Sequence, residues 1–135
     1  MREILFRGKD LQEHNGWLYG YFYKSDINKR ERESGKATLI FTPNCDTFIY
    51  VPECHNSWMV KPETVGQYTG LTDKNGTRIF EGDIISCDYF IGTVSFCNGC
   101  WCASEMGKLP EDLYELVNLE VIGNVCDNPE LLKGD

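Results

Sequence analysis

The stretch Gln67-Tyr68-Thr69-Gly70-Leu71-Thr72-Asp73-Lys74-Asn75-Gly76-Thr77-Arg78-Ile79-Phe80-Glu81-Gly82-Asp83-Ile84 decides how the chain is read. The run that leads into it, from Thr64 to Leu71, contains Thr, Val and Tyr and reads as extended. Asp73-Lys74-Asn75-Gly76 then reads as a tight turn, because Asn-Gly tolerates the positive φ that hairpin turns require. Arg78-Ile79-Phe80 resumes the strand, and Glu81-Gly82-Asp83 reverses the chain into a further strand, Ile84 to Cys87. Three strand-like runs separated by two turns, between Thr64 and Cys87, predict a β protein.

The same rhythm extends outward. Toward the C-terminus, Gly92–Phe96 and Trp101–Ala103 read as strands around an Asn98-Gly99 turn, and Leu119–Val125 as a late strand. Toward the N-terminus, Glu3–Arg7, Trp17–Tyr23, Thr38–Thr42 and Thr47–Val51 are strand-like. Residues 25–36 are polar and charged and predict an exposed loop; Pro52 and Pro62 bracket an irregular stretch around Trp58. The best helical candidate is Pro110–Leu116, with Pro and acids suited to a helix start and Leu113, Leu116 and Val117 on one face. Asn128-Pro129 begins a short capped turn of helix. Turn signals every 8–12 residues, roughly, predict sandwiches or small barrels.

Composition narrows the function. The chain has 135 residues, a length at which one compact unit built of two small β modules, 1–63 and 64–135, is expected. Thirteen basic and 21 acidic residues leave a net charge of −8. Residues 1–60 carry eight of each sign, so the whole excess falls on residues 61–135. That field repels a phosphate backbone. The small cluster Lys29-Arg30-Glu31-Arg32 is diluted by its own acids and reads as a solvated loop. No run of 18 apolar residues is present, and the N-terminus does not read as a signal peptide, so a reducing cytoplasm and reduced thiols are expected.

Seven cysteines invite a search for chemistry. Cys97, Cys100 and Cys102 form the one cluster with metal-ligand spacing, but no second Cys-x-x-Cys completes a four-ligand set, and Asn98-Gly99 makes an ordinary turn inside it. The pattern favours turn and core thiols over zinc, with a redox role the weakest reading. His14 and His55 read as loop histidines, although Cys54 beside His55 admits a nucleophile pair. There is no nucleophile elbow, P-loop or dinucleotide fingerprint. Glu81 and Asp83 read as turn residues in preference to metal ligands. Trp17, Tyr19, Tyr21 and Tyr23 alternate along one strand; with no basic residue interleaved, they read as core or interface and not as a base-stacking platform. No catalytic residue and no cofactor is expected.

The motif from Gln67 to Ile84 resembles that of the YopX family of phage and prophage proteins. The resemblance rests on Gln67, Tyr68, Thr69, Gly70, Leu71, Asp73, Asn75, Gly76, Glu81, Gly82 and Asp83. It extends to Arg2-Glu3-Ile4, Phe6-Arg7-Gly8-Lys9, Trp17-x-Tyr19-Gly20-Tyr21, Pro62–Gly66, Leu119–Asn124 and Asn128–Leu131. It implies a predominantly β fold, with an SH3-like barrel after Gly82-Asp83, and supplies no catalytic residues. The chain departs from the family pattern over residues 24–60 and in its cysteines. The expected role is that of a non-enzymatic accessory protein in the host cytoplasm, binding another protein or itself. The alternative is a nucleic-acid-associated or DNA-mimicking regulator that uses the SH3-like module.

Overall fold

A computed structural model describes residues 4–12, 14–25, 46–88, 90–105 and 108–132. Among them the secondary structure is β, with four single 3₁₀ turns and no α-helix. No helix among the described residues is long and apolar enough to cross a membrane. Most of the expected loop at 25–36, the strand expected at Thr38–Thr42 and Cys45 lie outside the described residues.

The chain divides into two compact units, one Leu5–Val65, the other Met1–Ile4 with Gly66–Asp135. In the first, strands β1 (Phe6–Lys9), β2 (Trp17–Lys24), β3 (Thr47–Val51) and β4 (Asn56–Met59) pair antiparallel in the order β4-β3-β2-β1. Beyond β4, Val60 bridges Asp10, and the Lys61 N–H donates to the Lys9 carbonyl. Ile49 and Val60 are fully buried. Gly20 lies where the backbones crowd: a Cβ there would stand 1.9 Å from the Tyr50 carbonyl oxygen.

Strand β4 occupies the stretch around Trp58 expected to be irregular. Asn56-Ser57-Trp58-Met59 has no alternating pattern of its own, and pairing with β3 (Ile49 opposite Trp58, Tyr50 opposite Ser57) imposes the extended form. The turn into it is a 3₁₀ turn, Pro52–Cys54, closed by His55 at φ 51°.

In the second unit, β5 (Gly66–Thr72) and β6 (Arg78–Phe80) form a hairpin. An open five-stranded antiparallel sheet follows. Its strands are β7 (Asp83–Ser86), β8 (Ile91–Cys97), β9 (Cys100–Ser104), β10 (Glu111–Asp112) and β11 (Glu120–Asn124), ordered β10-β9-β8-β7-β11. The barrel expected after Gly82-Asp83 is therefore not closed, since β10 and β11 stand at opposite ends of the sheet. With only two residues β10 is too short to close it. Instead Leu113, Leu116 and Leu119, from the segment between β10 and β11, pack on Ile79, Ile85, Val94 and Ala103 and fill the core.

That segment also corrects the helix expected at Pro110–Leu116. Glu111 and Asp112 pair with Ala103 and Cys102 as strand, and only Leu113–Glu115 makes a 3₁₀ turn. The apolar spacing that mimics a helix face serves a loop that buries Leu113 and Leu116 and leaves Val117 exposed. The last turn, Pro129–Leu132, is 3₁₀.

Candidate functional site

Three constellations hold the residues singled out by the sequence. The first is the Gln67–Asp83 motif. Tyr68 packs its ring on Phe80 at 5.5 Å, and the Arg78 guanidinium lies 5.5 Å from the Tyr68 ring centre. Gln67 and Glu81 are joined by the Glu81 N–H donating to the Gln67 carbonyl. The Thr69 hydroxyl donates to the Ile79 carbonyl at 2.8 Å and accepts from the Leu71 N–H, spanning a register shift between Tyr68 and Thr72. Gly70, inside that shift, sits at φ 88°, and Leu71 packs against the core.

Asp73 joins distant parts of the unit. Its Oδ1 accepts the Asn75 and Thr77 N–H groups, each at 2.9 Å, and its Oδ2 accepts the Val121 N–H, also at 2.9 Å. One buried carboxylate thus shapes the Asn75-Gly76 turn and ties it to β11. Burial pushes the Asp73 carboxyl up, but the Val121, Thr77 and Asn75 N–H donors, with the Lys74 charge, outweigh this and hold it below its ordinary value. Asp83 is buried, and its Oδ2 accepts the Phe80 N–H at 2.7 Å across the Glu81-Gly82 bend. Glu81 is exposed, so Glu81 and Asp83 do not converge on a shared ligand position. These contacts are all internal to the unit and position backbone.

The second constellation is the cysteine cluster. Cys97 and Cys100 face each other across the β8–β9 hairpin, whose turn residues Asn98 and Gly99 both have positive φ. Cys102 stands two residues after Cys100 and so projects to the same side. Asp112 lies opposite Cys102 on β10 and joins that side as well. Cys97 Sγ is 2.7 Å from Cys102 Sγ, Cys100 Sγ is 3.8 Å from Cys102 Sγ, and Cys100 Sγ is 3.3 Å from Asp112 Oδ1. No described cysteine is in a disulfide. The contact with Cys97, then burial, then Cys100 push the Cys102 thiol up to about 12. The Asp112 carboxylate is the main cause that raises Cys100. Asp112 escapes sequence reasoning because it sits in the segment that imitates a helix start.

The third is the aromatic strand β2. Tyr19, Tyr21 and Tyr23 are 44%, 54% and 40% exposed, so they are not core. Directly opposed on β3, Tyr50 stacks on Tyr21 at 6.4 Å and Phe48 on Tyr23 at 5.2 Å. On β1, Arg7 and Lys9 pair with Tyr19 and Trp17, and their cationic groups lie 4.6 Å and 5.9 Å from the Trp17 ring centre. The basic residues missing from the linear pattern are supplied by the neighbouring strand. His14, Cys54 and His55 are exposed, His14 in a bend and the other two at the end of the Pro52–Cys54 turn.

Residues 5–133 match a family model described as YopX protein. No curated protein matches the chain. Among solved structures, the chain is similar to the crystal structure of protein EF1440 from Enterococcus faecalis. The identity is 21% and the TM-score 0.53, over 98% of this chain and 99% of that one. At that identity the likeness is one of fold alone.

Proposed function

The chain belongs to the YopX family, and we propose that it is a phage- or prophage-encoded accessory protein of the host cytoplasm. In this reading it acts without catalysis, by binding another protein through the aromatic face of β2 and β3. The family resemblance supports the phage setting. The observation that carries the binding role is the row of Tyr19, Tyr21 and Tyr23, each at least two-fifths exposed on one strand face. Tyr50 and Phe48 stack against two of them. Aligned, pre-ordered tyrosines offer large contact area at small entropic cost, with hydroxyls that tolerate water before binding. Truncating such anchors typically costs about 2 kcal/mol or more each in binding.

The test compares wild-type bait with a Tyr19→Ser/Tyr21→Ser/Tyr23→Ser bait in affinity capture from lysogenic or infected cells, with the solution mass of both. The proposal expects a specific protein, or a second copy of the chain, held by the wild type and lost by the folded variant. Identical retention by both, or a wild type that is monomeric and holds nothing, counts against it.

A second reading has one observation in its favour. Arg7 and Lys9 over Trp17, beside stacked aromatics, resemble the mixture of cations and rings that holds single-stranded nucleic acid. Against it stand the near-complete burial of Arg7 and the net charge of −8. Salt-dependent binding of single-stranded DNA or RNA, lost on Lys9→Ala, would favour it. No binding at low salt would exclude it.

A further inference from the structure

We propose that Cys97, Cys100, Cys102 and Asp112 form a zinc site that clamps strands β8, β9 and β10 together. The four side chains share one side of three adjacent strands, which follows from the pairings Cys97–Cys100 and Asp112–Cys102 and the two-residue step from Cys100 to Cys102. The ligand atoms of Cys100, Cys102 and Asp112 all lie within 4.8 Å of one another. Cys97 extends the set through its contact with Cys102.

The spacing suits a tetrahedral ion. Zn–S bonds of about 2.3 Å at tetrahedral angles put two sulfurs about 3.8 Å apart, and a Zn–O bond of about 2.1 Å puts sulfur and oxygen about 3.6 Å apart. Cys100 and Cys102 are separated by 3.8 Å, and Cys100 and Asp112 by 3.3 Å. Cys97 lies outside that group, its Sγ 2.7 Å from Cys102 Sγ, and takes the fourth position by a side-chain rotation at the last residue of β8 that opens this contact. Soft thiolates with one carboxylate select zinc over magnesium or calcium, which prefer all-oxygen shells. On binding, each thiol gives up its proton, so one Zn²⁺ enters, three protons leave, and the loaded site carries −2, as a four-cysteine site does. Without Asp112 the three thiols are an incomplete structural set; strand β10 completes it.

The test uses the full chain, metal-free and kept reduced. Titration with Co²⁺ should give a saturable one-to-one signal with tetrahedral d–d bands and thiolate-to-cobalt charge transfer, displaced by Zn²⁺. Zinc should shield three thiols from a thiol-reactive dye and raise Tm. Cys100→Ser should abolish the charge-transfer signal, and Asp112→Asn should keep it while weakening affinity at least about tenfold. Cys126→Ser should change nothing. The thiol-shielding assay needs no variant, so a misfolded mutant does not shelter the proposal. Absence of stoichiometric Co²⁺ binding by the reduced wild type would overturn the site. So would binding that survives Cys100→Ser, or a Cys97–Cys102 disulfide that forms in zinc-containing reduced buffer.

Discussion

Replacing Asp73 by Ala should unlatch the Asn75-Gly76 turn from β11. Three backbone N–H groups, of Asn75, Thr77 and Val121, lose the carboxylate that accepts them at 2.9 Å each. Hydrogen bonds to a charged acceptor contribute about 1.5–3 kcal/mol apiece, but an exposed donor recovers much of that from water. Asn75 and Thr77 are exposed, and Val121 is half-buried beside the core. The Val121 bond should therefore dominate, and the expected total is about 2–4 kcal/mol. For a chain of this length that corresponds to a fall in Tm of roughly 6–16 °C. Urea denaturation gives the free energy and calorimetry the Tm. Hydrogen exchange supplies the local readout, because the Val121 amide should exchange much faster in the variant. Asp73→Asn retains one oxygen for the turn but cannot serve all three donors with oxygen, so it should destabilise by a similar order. A loss below about 0.5 kcal/mol, the range of ordinary surface changes, with Val121 still protected, would refute the latch.

Four further outcomes follow from the same structure. The Asp73 carboxyl is held below 3.8 in the fold, so its stabilisation is complete above about pH 4 and is lost as pH falls through the folded value. The stability gap between wild type and Asp73→Asn, followed by denaturation against pH, should accordingly narrow below about pH 4. Gly20→Ala should destabilise by about 2–3 kcal/mol in urea, since the new Cβ would meet the Tyr50 carbonyl. Leu113→Ala, at a site 1% exposed, should cost about 2–5 kcal/mol, whereas Val117→Ala, four residues on and exposed, should cost less than about 0.5 kcal/mol. In metal-free reduced protein, exposed Cys54 and Cys126 should react first with a thiol-specific dye, and buried Cys102 last.

What the sequence reveals, and where it stops, follows from the range of each interaction. Asn75-Gly76 and Glu81-Gly82 are readable because their task is local: Gly76 and Gly82 adopt φ 83° and 90°, which glycine takes without steric cost. The strands from β5 to β9 are readable for the same reason, through turns that separate short apolar runs. Asp73 announces a turn, but its bond to Val121 spans 48 positions and leaves no local trace. Asp112 is misread for a related reason. Pro110, Glu111 and Asp112 suit the first turn of a helix, and pairing with β9 overrides them. The closed barrel fails because a two-residue β10 and a leucine-bearing loop do the covering that a longer strand would do. The aromatic strand shows the last kind of limit. Alternation reveals that Tyr19, Tyr21 and Tyr23 share a face, but whether that face meets solvent, and that Arg7 and Lys9 lie over Trp17, depends on the register of β1 against β2.

The proposed role places a protein partner on this exposed tyrosine face. It is tested most directly by parallel capture with wild-type bait and with the folded Tyr19→Ser/Tyr21→Ser/Tyr23→Ser bait, read by mass spectrometry and by the mass of each bait in solution. A protein, or a second copy of the chain, should be present with the wild type and absent with the variant. The same retained set on both baits, or a monomeric wild type that retains nothing, would contradict it.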